Sequence, residues 1–422
     1  MSSKLPAELQ HFADLDARLV AVAKSIKILT SLNWPVEASD EFLKGWKEGK
    51  PRLPSIIHRR PGHSAAAGEL DRIAADSDRS HPVGRYIART AESYATAARM
   101  LDASGTPEFT ECSIRLYGQP SETLSPQGLS HAQAADHFIE TTRDFIQAYY
   151  VPNQDYCLSS EEVARELRER LVPYFAAHKV EVVLDPALTA KAVAGSQRIR
   201  LRDQTCFSAF DVQQLLHHEG FVHMLSAING RNQPNLPSLG LGSPRTTRTQ
   251  EGLATFAELI TSSIDLARLR RIALRIHGVK MGLEGADFIE VFRYFLDSGQ
   301  DEKESFQSTA RVFRGGDPRG TIVFTKDVVY LQGLIYTHTF LRKAVQASKY
   351  QYAEHLFAGR MTLGDIVDLE PFLESGFIVP PVYEPPWLVN RHSLAAYLCY
   401  AVFANRINLG EFTLEDFSTR QI

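Results

Sequence analysis

Apolar residues recur at three- and four-residue steps along much of the chain, the spacing that lays a stripe along one helix face. Leu15, Leu19, Val22 and Ile26 start the pattern, and Leu29 and Leu32 carry it to a break at Asn33-Trp34-Pro35. The same reasoning predicts helices over 65–75, 85–101, 131–148 and 160–177. The last opens with Ser159-Ser160-Glu161-Glu162, a capping-type start. Residues 180–184 are short and β-branched, which predicts a strand. Residues 197–202 alternate, with Ile199 and Leu201 set between Arg198, Arg200 and Arg202, as a half-buried edge strand would. Such an edge offers itself to an extended peptide by strand addition.

Beyond Asp211 the pattern is helical again, apart from Gly/Pro-rich loops at 229–244 and 315–320. Residues 113–128, punctuated by Pro120 and Pro126, are expected to be irregular. The longest apolar run, 394–404, is too short to span a bilayer and reads as a buried helix. The fold class expected is therefore α+β, mostly α, with a small sheet. A loop at 103–107 marks a boundary between an N-terminal helical region, 1–105, and a larger domain, 106–422.

Composition changes this picture little. The 422 residues are 44% hydrophobic and 23% charged, with a net charge of −4. That balance argues against a nucleic-acid binder working by bulk electrostatics. The basic run Arg268-Leu269-Arg270-Arg271 reads as a solvated helix face. The cysteines Cys112, Cys157, Cys206 and Cys399 show no paired spacing and read as buried free thiols. The polar start, Met1 to Asp16, is not a signal peptide. These features predict a soluble, cytoplasmic protein with no membrane partner.

The chemistry concentrates at Leu215-Leu216-His217-His218-Glu219-Gly220-Phe221-Val222-His223. Two histidines and an adjacent glutamate suggest a metal helix, but His218 and His223 are five positions apart. At ~100° per residue that separates them by ~140°, too far for one tetrahedral ion. They converge only if the helix swells by one residue, a π-bulge, for which Gly220 offers backbone freedom. Otherwise the histidines merely decorate a helix. His217 points elsewhere in either case.

A third ligand is needed for a catalytic site. Thr247 and Gln250 have capping-box spacing at a helix entry, and Glu251 and Glu258 share one face beyond it. One of the two glutamates would ligate and the other would hydrogen-bond a ligand imidazole, or both belong to an ordinary charged face.

The motifs His218-Glu219-Gly220-Phe221-Val222-His223 and Gln250-Glu251-Gly252-Leu253-Ala254, with Phe324 to Leu331 and Ser31 to Val36, resemble a known family. It is the bacterial family of flavohaemoglobin-expression-modulating QEGLA-motif proteins. They are related to the eukaryotic tubulin tyrosine carboxypeptidases of the MATCAP type, which are atypical gluzincins with an HExxxH helix. The resemblance implies a zincin-like metallopeptidase domain holding Zn2+ on His218, His223 and Glu251, with Glu219 as the catalytic glutamate. It implies a carboxypeptidase acting on a peptide or protein C-terminus.

On that reading Tyr330 is a candidate oxyanion donor, if not a core tyrosine. Lys326, Arg311 and Arg314 are candidate anchors for a terminal carboxylate, if not solvent-facing charges. Thr325, before Lys326, has the look of a helix cap. Two other functions stand beside this one: a regulatory or scaffold protein with a structural metal, and an aminopeptidase or amide hydrolase using the same site.

Overall fold

The computed structural model describes residues 5–58, 60–124, 128–148, 157–186, 188 and 190–404. The periodic segments fold as helices. The first stripe forms Ala7–Ala23, burying Leu15 and Leu19. Ser64–Asp76 and Pro82–Asp102 pair beside it, and His131–Ala148 matches its expected span. Ser159 caps Ser160–Tyr174: its hydroxyl accepts from Glu162 N–H while the Glu162 carboxylate accepts from Ser159 N–H. That reciprocal pair satisfies two donors the first helical turn leaves open. Residues 113–117, expected to be irregular, instead end the helix Pro107–Tyr117. Its start is favoured by Pro107 in the first turn, where a missing N–H costs nothing. Pro126 lies outside the described residues.

The sheet is small and corrects one expectation. Its strands are β1 (Glu181–Asp185), β2 (Ala192–Ala194) and β3 (Arg198–Arg202), in the order β1-β3-β2. β3 is thus the central strand, parallel to β1 and antiparallel to β2. Both its edges are taken, so it is closed to an added peptide strand. Its alternation is that of a strand with one face in the core: Ile199 and Leu201 are fully buried. Edge or centre is decided by neighbours, which alternation alone does not encode.

Two apolar clusters hold the chain. The larger unites Phe12, Leu19 and Tyr94 with Leu167, Ile199, Val222, Phe256 and Phe357. Residues on both sides of the 103–107 loop therefore share one core. The smaller is aromatic, built from Trp34, Phe42, Phe288, Phe292, Phe306 and Phe313. The apolar run at the C-terminal end forms Arg391–Ala404, but this helix is not buried. Leu394 and Leu398 face inward while Tyr397, Tyr400 and Phe403 are exposed, because its one large contact is the outer side of Val329–Gln346.

The cysteines also differ from expectation. Cys157 and Cys206 form a disulfide, Cys112 is half-buried and Cys399 is exposed. An isolated antiparallel bridge between Leu158 and Phe207 brings the two cysteines together from 49 residues apart. No sequence spacing signals such a pairing. Among the described residues no helix is long and apolar enough to cross a membrane.

Candidate metal centre

The metal helix begins at Ala209, where Ser208 and Asp211 form a capping box. It runs as α-helix to Leu215, as π-helix over Leu216–Met224, and as α-helix again over Leu225–Arg231. The swelling required by the histidine spacing is therefore present. Hydrogen bonds that span one residue more bring the fifth residue back over the first. His218 and His223 consequently face each other with ring centroids 4.7 Å apart. Gly220 has a different reason from the one expected. Its φ is not positive; instead a Cβ there would lie 2.6 Å from Leu171 Cδ2, so the glycine makes room for the neighbouring helix. His217 turns away from the cleft onto Phe221.

Glu251 arrives on the helix Thr247–Ile260. The expected capping box is absent: Thr246 is the cap position, without a side-chain bond to the helix, and Thr247 is already helical. What sets this helix is a close crossing with Val329–Gln346. A Cβ on Gly252 would lie 2.2 Å from the carbonyl carbon and oxygen of Gly333. The two backbones touch, and the contact presents Glu251 to the histidines. Gly252→Ala must push these helices apart. A loss of about 1–3 kcal/mol or more in denaturant-unfolding free energy is expected. An unchanged unfolding midpoint would show that the crossing yields freely.

The result is a convergent donor set. Glu251 Oε2 lies 3.4 Å from His218 Nε2 and 3.6 Å from His223 Nε2. Ligand atoms of all three residues fall within 4.8 Å of one another, so the group can hold a metal ion. Glu258, one of the two candidate ligands, instead takes the bond from His218 Nδ1 at 2.5 Å and is fully buried. It also accepts from Gln214 and Arg268. With Nδ1 held by Glu258, Nε2 of His218 is the nitrogen turned toward Glu251 and the metal position, where an ion would take the place of its proton.

Charge follows this arrangement. Burial pulls the His218 pKa down, but bonds to Glu251 and Glu258 outweigh it and raise it to about 10. Burial opposes the charge of Glu258 too, yet Arg268 and His218 bring its pKa to about 2. Glu251 is held well below the carboxylate range against burial, chiefly by Lys326 and the two imidazoles.

A cleft of about 580 Å³ opens onto this group. Ala194 on the edge strand β2 donates its N–H to Glu219 Oε2 at 2.8 Å. Lys326, Arg311, Arg314 and Tyr330 all line the cleft. Lys326 and Arg314 are buried and Arg311 is largely so, so none is an ordinary surface charge. Lys326 Nζ holds Glu251 Oε1 at 2.7 Å. Arg311 makes a two-pronged bond to Asp327, both arms 2.6 Å. Tyr330 Oη accepts from Arg311 at 3.2 Å and Lys326 at 3.4 Å. Thr325 does not cap a helix; it opens a 3-10 turn after Phe324, and its hydroxyl meets Ser113.

Arg314 is 6% exposed, and neither Nε nor Nη2 has a hydrogen-bond partner. Burial and the neighbouring Arg311 lower its pKa to about 10. Sequence reasoning missed Arg268, Arg271 and Arg275, which also line the cleft. The run Arg268-Leu269-Arg270-Arg271 was expected to face solvent, but Arg268 pairs with Glu258 and Arg271 with Glu304. No local sequence signal marks this helix as packing inward, because the carboxylates that Arg268 and Arg271 meet lie 10 and 33 positions away along the chain.

With this geometry in view, one comparison is decisive. A family model described as microtubule-associated tyrosine carboxypeptidase matches residues 41–406. The chain belongs to that family. The match covers the metal helix, Glu251, the Lys326–Tyr330 turn and the sheet. No curated protein matches the chain.

Proposed function

We propose that the protein is a zinc-dependent carboxypeptidase that removes the last residue, aromatic in the family's named activity, from a peptide or protein. The observation that carries this is the unpartnered fork of Arg314 in a cleft shared with the His218–His223–Glu251 group. Nε and Nη2 form the side of a guanidinium that matches a carboxylate two-on-two. Burying that fork unpaired is costly, and a substrate's terminal carboxylate relieves it once the guanidinium turns toward the cleft.

The donor set fits zinc. Tetrahedral ligands about 2.0–2.2 Å from zinc sit roughly 3.4 Å from each other, and the two imidazole–carboxylate separations are 3.4 and 3.6 Å. Bound there, zinc would supply Lewis acidity toward a carbonyl and an acidified water.

The chain's own residues then have separable tasks. Glu258 orients His218, and Lys326 holds Glu251 by its outer oxygen. Glu219, tethered at Oε2 by Ala194, takes the proton of the attacking water and passes it to the leaving amine. Tyr330 accepts from two cations, so its own proton is free to meet the oxygen that gains charge. An aminopeptidase would need an acidic anchor, and the cleft acids Asp211 and Glu304 are already paired with Lys191 and Arg271. A purely structural site would have no use for Glu219 beside its ligand.

The test is a digest of a peptide library by zinc-loaded protein, read by mass spectrometry. Single residues are expected to leave from free C-termini, with amidated peptides resistant. Arg314→Met is expected to lower kcat/KM by about 10- to 100-fold, the worth of a charged hydrogen-bond pair. Equal cleavage of amidated peptides, or trimming from the N-terminus, would overturn the reading.

A further inference from the structure

The cleft contains a second unsatisfied group of different chemistry. Gln250, beside Glu251 on the same helix, is 5% exposed, and neither Oε1 nor Nε2 has a partner. Among the described residues, the other cleft-lining residues with a buried, unpartnered side-chain nitrogen or oxygen are Arg271, Arg275, Arg314 and Arg360, in each case through guanidinium nitrogens. Those are donors only. Gln250 Oε1 is therefore the sole unmet acceptor in that set, and a ligand group facing it must offer a hydrogen. A carboxylate cannot do so. A peptide group can, because it carries an N–H and a C=O in one plane, matching the carboxamide donor and acceptor.

We propose that Gln250 is a substrate-positioning residue that reads a backbone peptide group of the bound chain through its carboxamide. This rests on the peptidase reading above and deepens it: Arg314 holds the charged end, and Gln250 holds the neutral backbone. Both amide atoms are closed to solvent in the free protein, so the side chain turns into the cleft as the ligand arrives and the ligand completes its hydrogen bonds. Leaving the amide unpaired costs stability in the free state, a pattern expected of sites shaped for binding rather than for folding. Gln250 is thus distinguished from a structural glutamine, which would already have partners.

The experiment uses full-length, zinc-loaded protein carrying Glu219→Gln, with and without Gln250→Leu. The probe is acetyl-Ala-Ala-Tyr, and three analogues in which each peptide N–H in turn is replaced by an ester oxygen. Binding is followed by calorimetry. At one position the N–H to O change is expected to weaken binding about ten-fold with Gln250 present, and to have no effect with leucine there. Gln250→Glu, which keeps the acceptor, is expected to retain the position dependence.

A second readout is thermal. Gln250→Leu is expected to raise the unfolding midpoint of the ligand-free protein, since an unpaired buried amide is removed. The proposal is overturned if all three esters weaken binding equally in both backgrounds, or if leucine lowers the midpoint. If the wild-type protein binds the peptide without cleaving it and the coupling persists, the inference stands and the peptidase reading falls. Cleavage without coupling gives the reverse. No binding of the peptide at all overturns both.

Discussion

Glu219→Gln protein is expected to bind zinc as the parent does and to lose turnover by about 100-fold or more, the usual worth of a general base. Glu219 sits beside His218 on the π-helical segment and is only 9% exposed. Its carboxylate is not among the three groups, two imidazoles and the Glu251 carboxylate, that converge on the metal position. Glutamine keeps the size and the acceptor for Ala194 N–H, so the helix has no reason to rearrange. What it lacks is the ability to take and return a proton. Zinc content by elemental analysis and single-turnover hydrolysis separate the two roles. A variant that cleaves as well as the parent would remove Glu219 from the mechanism; one that loses zinc would make it a ligand.

Asp327→Ala is expected to destabilise the protein by about 3–5 kcal/mol, the range for breaking a buried ion pair by deleting one partner. Asp327 is 2% exposed and takes both arms of Arg311, with Arg275 Nε at 3.7 Å. Burial works against its charge, but Arg311, then Arg275 and Arg314, hold its carboxyl far below the usual range. Its removal would leave buried guanidinium groups facing one another without an anion.

The sign of the pH dependence follows. The folded pKa is depressed, so the stabilisation is present above the unfolded value of 3.8 and is lost as pH falls below it. Denaturant unfolding at neutral pH and at pH 3 checks this. The gap between parent and variant should be large at pH 7 and shrink in acid. A gap that is small at pH 7, or grows on acidification, would show that Asp327 does not neutralise the cluster.

Much of the site was legible in the residue order because its parts are local. The five-residue interval between His218 and His223 required a swollen helix if both were to meet one ion, and the π-helix is there. Ser159 and Glu162 announced their cap for the same reason: a capping box is closed within four residues. Thr247 and Gln250 had that spacing too, yet no box forms. Thr246 occupies the cap position, and the Gly252–Gly333 contact sets the helix.

Where partners are distant, the chain order was silent. Nothing near Arg198–Arg202 says whether one or two strands flank it. Arg268 and Arg271 have the look of a solvent face until Glu258 and Glu304 are brought opposite them. Cys157 and Cys206 become neighbours only through the Leu158–Phe207 bridge.

By itself, then, the amino-acid order determined the helical character, the local caps, and the demand for a distorted helix carrying two imidazoles and a carboxylate. Helix hydrogen bonds join residues a few places apart, so their consequences can be read along the chain. Residue spacing left Glu251 and Glu258 as alternatives, and only the family resemblance pointed to Glu251. The tertiary structure shows that Glu251 faces both imidazoles while Glu258 binds His218 from behind. It also decided that Asp327 neutralises Arg311, and that Arg314 and Gln250 remain unpaired at the cleft. Burial and pairing depend on which distant groups arrive at the same place, and in a low-dielectric interior the cost of an unmatched charge or amide is set by those neighbours.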